Sequence, residues 1–479
     1  MNLMKNKRGN ILLNLDWITI AVYFLLVFLG WINIYSAVYD ENHANIFDFS
    51  QRYGKQLLWI GAAIVLILVA LIVDSKFYSA FAYPFYGIGL LLLILVLILG
   101  VEVNASKSWF EIGTFRMQPV EFTKITICLA LAQLLSSVGF SWEKPKYVFW
   151  IMALLGLPVF LIFVQNDTGS ALVFFAFVFV LFREGFNKVL FITSFALIAL
   201  FILALITNLE VLIITILIAS VFGFILSNGR NIRTQIVLYS FLLYALVSLV
   251  LFNYTDIFMN KPINLILINV GLVSIQMLIM YLIRKSKTFI LFASLLIGVS
   301  LFVFSVDYLF NNALQPHQQN RINELLGKNN DPLGVGYNVN QSKIAIGSGG
   351  LTGKGFLQGT QTKYNFVPEQ STDFIFCTIG EEWGFIGTSF VLFLFGFLIV
   401  RIVFLAERQR SSFSRIYGYG VASILFFHVV VNIGMTIGLA PVIGIPLPFF
   451  SYGGSSLWAF TLLLFIFIKL DADRLQIFR

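Results

Sequence analysis

Charge is what this 479-residue chain has least of: 11% of its residues are Asp, Glu, Lys or Arg, against about 25% in ordinary soluble domains. With 59% of the residues hydrophobic, so few charges exclude a soluble globular enzyme and point to an integral membrane protein. Cysteine is nearly absent. Cys128 and Cys377 both fall in long apolar runs, so no disulfide framework is expected. The three histidines, His43, His317 and His428, lack metal-ligand spacing. His428, in an apolar run, reads as a packed, hydrogen-bonded residue. P-loop, HExxH and nucleophile-elbow motifs are missing, and the GxGxxG-like strings follow no strand–helix unit. A basic stripe with interleaved aromatics is also missing, which excludes nucleic acid as a partner.

What is present is a succession of apolar runs long enough to span a bilayer, roughly 20 residues each. They lie near 17–37, 55–73, 80–101, 119–138, 147–164, 168–182, 189–207, 210–226, 235–252, 264–283, 288–305, 373–400, 416–438 and 452–469. Fourteen spans put both ends on one side. With those ends in the cytoplasm, inner loops hold twenty of the 31 basic residues, ten lie outside, and Lys124 lies within a span. That asymmetry follows the positive-inside rule, so the net charge of +8 is a topology signal. Lys5, Lys7 and Arg8 precede the first span, which can anchor the chain without a cleavable signal.

One segment breaks the apolar pattern. Residues 331–359 carry eight glycines and a single carboxylate, Asp331. An irregular backbone cannot lie in hydrocarbon, so this is a large extramembrane loop or the lining of a wet cavity. Glycine lets its main chain approach a ligand and present amides. From Asn311 to Thr372 the acids are Glu324, Asp331 and Glu369, against Arg321, Lys328, Lys343, Lys354 and Lys363. Taken alone, Asp331 before Pro332 is turn chemistry. In a basic loop, one isolated acid suits a phosphate-bearing substrate with one proton to remove. Elsewhere Gln118, Glu121 and Lys124 open the fourth span, with Glu121 and Lys124 on one helix face. Ionisable groups there mark a functional site or a structural pair. Asp167, in QNDTGSA, reads as a helix cap. Of Glu381 and Glu382, two turns into a later span, one is expected to face a polar cavity.

The motifs resemble a known family. SKSWFEIGTFRMQPVEFTK at 106–124, QNDTGSALVF at 165–174, and the run from Asn320 to Gln361 are similar to the SEDS (shape, elongation, division and sporulation) proteins. FVPEQSTDFIFCTIGEEWGFIG at 366–387 and NIGMTIGLAPVIGIPLPFFSYGGSS at 432–456 continue the likeness, and GSGGLTGKG with GTQ is the RodA-like form. Ser108 and Val120 depart from the usual pattern.

The resemblance implies an all-α, polytopic helix bundle that polymerises lipid II into glycan strands during cell-wall elongation and shape maintenance. Asp331 would be the catalytic carboxylate. Trp109, Gln118, Glu121, Lys124, Arg321, Gln341, Ser342, Lys343, Lys354, Glu369 and Asp373 would bind substrate. Arg321, Lys343 and Lys124, loop amides, or a divalent cation (Mg or Mn) could each stabilise the leaving pyrophosphate. The expected partner is a class B penicillin-binding protein within the elongation machinery, at the bacterial inner membrane, with the catalytic loop of about 306–372 outside. The family has ten spans, so about four helices, placed at 208–287, read as inserted between core segments 1–207 and 288–479. A flippase for the same lipid and a scaffold for a transpeptidase are the alternatives.

Overall fold

The structure, a computed structural model, describes residues 14–39, 45–103, 106–113, 115–228, 232–254, 262–312, 319, 323, 336–364 and 366–474. Helices that are apolar on every side are stable in lipid or among other helices, and the apolar runs fold accordingly. In chain order they form α1 (Trp17–Ala37), α2 (Arg52–Ile72), α3 (Ser75–Ala80) and α4 (Ala82–Leu99). After strands β1 (Val101–Val103), β2 (Ser106–Ile112) and β3 (Phe115–Met117) come α5 (Pro119–Leu135), α6 (Pro145–Val164), α7 (Thr168–Leu172) and α8 (Phe177–Arg183). Next are α9 (Lys188–Ile206), α10 (Leu209–Asn228), α11 (Ile232–Tyr254), α12 (Pro262–Arg284) and α13 (Lys287–Asn312). The chain closes with α14 (Tyr337–Ser348), α15 (Thr360–Lys363), α16 (Ile375–Glu407), α17 (Ser412–Thr436) and α18 (Gly454–Ala472).

Every expected span coincides with helix. Ten described helices are long and apolar enough to cross a membrane: α1, α2, α4, α6, α10, α12, α13, α16, α17 and α18. The 168–182 run is interrupted by a 3-10 turn at Val173–Ala176. Among the described residues the all-helical expectation has one exception, an antiparallel meander in the order β1-β2-β3. Trp109 pairs with Val101 and Glu111 with Arg116. An open sheet edge has no place in hydrocarbon, so the meander marks an extramembrane face.

The chain divides into two compact units, Met1–Lys188 with Asn330–Arg479, and Val189–Asn329. At the centre of the first stand α5, α17 and α18. The apolar windows of α17 and α18 are 78% and 83% buried, against 22% for α2, α4 and α6, which face outward. Small residues let the central helices meet. A Cβ on Gly420 of α17 would lie 2.2 Å from Cys128 Sγ of α5. Two polar clamps join α1 to α16 in antiparallel fashion. Ser36 donates to Glu382 at one end, and Arg401 grips Asp16 at 2.6 and 3.2 Å at the other. Asp16 and Ser36 are twenty residues apart, about 30 Å along a helix, the thickness of a hydrocarbon core. Further pairs gather at the Arg401 end: Arg408 with Asp471, Arg415 with Glu184, and Arg183 with Glu407. All four arginines lie in loops or at helix ends that the span pattern of the sequence puts on the cytoplasmic side.

The second unit has its own core, with Phe224, Met277, Phe289 and Val303 fully buried. In it α13 packs on α10 and α12, and α11 packs on α12. The range 208–287, expected to hold about four inserted helices, contains three, α10 to α12. The 189–207 run is a separate helix, α9, and belongs to the same unit.

Candidate functional site

The amino end of α5 begins where β3 stops. Gln118 takes the cap position, Pro119 the first turn, and Glu121 follows in that turn, where the positive end of the helix dipole favours a carboxylate. Lys124 reaches back to Glu121 Oε2 at 2.9 Å. Glu121 and Lys124 are 5% and 3% exposed, and burial at that level makes pairing obligatory. The same ammonium lies 3.0 Å from His428 Nε2 on α17 and 4.8 Å from the centre of the Phe460 ring on α18. His428 Nδ1 lies 3.2 Å from Pro446 O. Each of the three central helices therefore supplies one part of a buried cluster.

A second wall comes from the turn before α7. Asp167 caps that helix, accepting from Ser170 N at 3.0 Å and Ser170 Oγ at 2.8 Å. It also accepts from Gln118 Nε2 at 2.8 Å, which ties the turn to the start of α5. The neighbouring carbonyl of Gln165 accepts from Lys107 N at 3.1 Å and holds the meander in place. Between these walls lies a narrow cleft of about 10 Å³, room for about one water molecule, lined by Gln118, Glu121, Lys124, Ser170, His428 and the Gly444–Pro446 chain. Asp373 stands beside Gly444, where a Cβ would lie 3.5 Å from its Oδ2. Asn432 holds this rim by donating to Asp373 O at 2.9 Å and Ile445 O at 2.7 Å. Asp373 is partly exposed but ringed by protein. That burial pushes its carboxyl up to about 7, and the Glu369 charge adds to the shift.

The glycine-rich loop does cradle an anion, and the anion is the protein's own Glu381. Lys354 Nζ reaches Glu381 Oε1 at 2.7 Å, and the Gln361 and Thr362 amides donate at 2.9 and 3.0 Å. Thr360 and Thr362 add their hydroxyls. The adjacent Glu382 accepts from Leu357 N at 3.1 Å and from Ser36. Loop and helix cross at Gly353 (φ +80°) and Gly384 (φ +63°). A Cβ on Gly353 would come 2.0 Å from Glu382 O, and one on Gly384 2.3 Å from Gly353 N. Both glutamates therefore anchor the loop.

Of the residues expected to bind substrate, the fold brings Gln118, Glu121 and Lys124 together, with Asp373 at their rim. Lys354 is engaged by Glu381. Ser342 is buried and donates to Thr436 O at 2.9 Å, joining α14 to α17. Glu369 accepts from Thr372 Oγ1 and lies 3.8 Å from Arg52. Gln341 is half-buried and Lys343 exposed on α14, and Trp109 is half-buried on β2. Asp331, Arg321 and Glu324 lie outside the described residues. His428, read from the sequence as a packing residue, and Ser170, which the sequence did not single out, both line the cleft. The available signal for His428 was its depth in an apolar run, where an imidazole must find a polar partner. Among the described residues no three His, Cys, Asp or Glu converge.

A sequence model of the FtsW/RodA/SpoVE family, described as a cell cycle protein, matches residues 16–224 and 212–476. The peptidoglycan glycosyltransferase RodA of Treponema pallidum is 31% identical over 467 residues, covering 96% of this chain and 98% of that protein. The peptidoglycan glycosyltransferase MrdB of Escherichia coli is 46% identical over 182 residues, 37% of this chain and 49% of its own. Among solved structures, a chain from a peptidoglycan synthase complex that coordinates polymerization and crosslinking aligns over 97% of this chain and 99% of its own. The TM-score is 0.60 at 25% identity. The rod shape determining protein RodA of Thermus thermophilus shares the fold, with a TM-score of 0.55 at 24% identity over 97% of this chain and 98% of that one.

Proposed function

Because the chain belongs to the FtsW/RodA/SpoVE family, we propose that it is a peptidoglycan glycosyltransferase that polymerises lipid II into glycan strands during cell-wall elongation. The observation that carries the reading is the buried Glu121–Lys124–His428 cluster, open to a cleft at the head of the spanning helices. If the chain makes fourteen crossings with both ends in the cytoplasm, as the charge pattern of the sequence suggests, cleft and loop face outward, where a lipid-linked substrate presents its sugar.

In the proposed reaction Asp331 takes the proton from the 4-hydroxyl of the acceptor sugar. That oxygen attacks the anomeric carbon of the donor, and the bond from this carbon to the pyrophosphate oxygen breaks. The polyprenyl pyrophosphate leaves with its tail still in the bilayer. Lys124 is the cation the cleft offers to the developing charge, since Lys343 lies on the exposed face of α14 and Lys354 is paired. The synthase-complex relative supports a crosslinking partner, which we infer to be a class B penicillin-binding protein.

A flippase would need a charged path near the midplane. Among the described residues of the first unit's spanning helices, each Asp, Glu, Lys and Arg sits within about two turns of a helix end. That arrangement favours chemistry at one face. The test is polymerisation of purified lipid II by the full chain. Wild-type protein should yield glycan strands, and Asp331→Asn, nearly isosteric, should abolish them while inserting normally. Strand synthesis by a well-folded Asp331→Asn protein would remove the assignment.

A further inference from the structure

An ammonium carries three N–H donors and no acceptor. Lys124 gives one to Glu121 Oε2 at 2.9 Å and one to His428 Nε2 at 3.0 Å. Among the described residues no nitrogen or oxygen acceptor takes the third; the Phe460 ring, its centre 4.8 Å from Nζ, offers only a cation–π contact, and the buried side chain lines the cleft. The direction of that third donor is set by the other two.

His428 can serve as the second acceptor in one tautomer alone. Pro446 O, 3.2 Å from Nδ1, is a carbonyl and only accepts, so Nδ1 carries the ring proton. Nε2 is then left with a lone pair toward Lys124. The ring stands edge-on to Phe460, with centroids 4.8 Å apart at 86°, which holds its plane. Pro446 itself belongs to the cleft wall. The wall thus orients the imidazole, and the imidazole orients the ammonium.

We propose that His428 is a positioning residue that fixes Lys124 so that its remaining N–H points into the cleft, toward the phosphate-bearing part of the substrate. The proposal rests on the glycosyltransferase reading and assigns His428 no contact with substrate. Without an acceptor at Nε2, the lysine is free to swing toward Glu121, and the donor leaves the cleft.

The experiment is lipid II polymerisation by the full chain, with the thermal midpoint of each variant recorded. His428→Phe keeps the ring and its packing on Phe460 but removes the acceptor. It should lower kcat by about tenfold to hundredfold with a smaller change in KM, because the donor matters most as charge grows on the leaving group. His428→Gln places an amide oxygen within reach of Lys124 and should stay within about threefold of wild type. If His428→Phe does not fold, His428→Asn takes its place, since its shorter side chain can hold Pro446 O but falls short of Lys124. A folded His428→Phe or His428→Asn variant with unchanged kcat would overturn the proposal. So would equal losses in the acceptor-keeping and acceptor-lacking variants at unchanged thermal midpoints, which would make His428 a packing residue. Absence of polymerisation by the unsubstituted protein would overturn the glycosyltransferase reading first, and this inference with it.

Discussion

Lys124 is a cation in a place where lipid and protein both penalise charge, and Glu121 is what makes it tolerable. Removing either partner strands the other. Glu121→Gln and Lys124→Met should each cost about 3 kcal/mol of stability and reduce polymerisation sharply, while the double variant should be no less stable than the worse single. Denaturation in detergent measures this as a coupling of at least about 3 kcal/mol; additive losses would show that the pair is not coupled. Asp373, at the rim, behaves in the opposite sense to a salt-bridged acid. The folded protein holds its proton up to about pH 7, while the unfolded chain releases it near 3.8. Between those values the folded state binds the extra proton, so stability falls as pH rises from about 4 to 7. Asp373→Asn should therefore raise the thermal midpoint relative to wild type at pH 8 and leave it unchanged at pH 4. An equal shift at both values would dissociate the effect from the carboxyl's charge.

At the scale of elements, the loop of residues 349–364 and the first turns of α16 are one device. Glycines let the loop lie on the helix backbone, and two neighbouring glutamates collect its amides. The Glu381 side chain is fully buried and Lys354 is 27% exposed, so the two ends of this pair differ in consequence. Glu381→Gln should destabilise the protein by about 3 kcal/mol and open the loop to limited proteolysis. Lys354→Met should cost less, because amide and hydroxyl donors still satisfy the carboxylate. Equal protease resistance in wild type and Glu381→Gln would mean the loop is held some other way. The glycine content was plain in the sequence, and so was the suitability of such a loop for an anion. That the anion is a carboxylate of α16 depends on Glu381, 19 to 27 residues beyond the groups that hold it, which local pattern does not reveal.

At the scale of the molecule, the two units invite separation, and helix parity decides how. The cleft is lined entirely by residues of the first unit. Deleting 208–287 removes three helices and should turn the catalytic loop to the cytoplasmic side. Deleting 188–284 removes four, α9 to α12, and retains α13, which leads into the loop. In that variant a cysteine at Tyr364, an exposed loop residue, should still react with an impermeant thiol reagent added from outside. The native cysteines, Cys128 and Cys377, are buried and should stay silent. Lipid II polymerisation should survive the four-helix deletion when a cognate transpeptidase is fused to the chain, and fail in the three-helix one. Inactivity of a folded, correctly oriented four-helix deletion would show that the second unit helps build the site.

Composition alone determined that this chain lives in a membrane, because apolar surface on this scale has no other solvent. Run lengths determined where its helices lie, since a span must match the bilayer. The spacing of Glu121 and Lys124 determined that they share a helix face. Tertiary structure decided the rest of the site. His428 is 304 residues from Lys124, and only the packing of α5 against α17 brings imidazole and ammonium together. The meander around Trp109 is not legible in the sequence, because three short strands are weak signals against a background of long apolar helices. A hydrophobic pattern records which residues leave water and how the backbone repeats. Which buried polar group meets which depends on helix packing across the whole bundle, and that is a property of the folded chain.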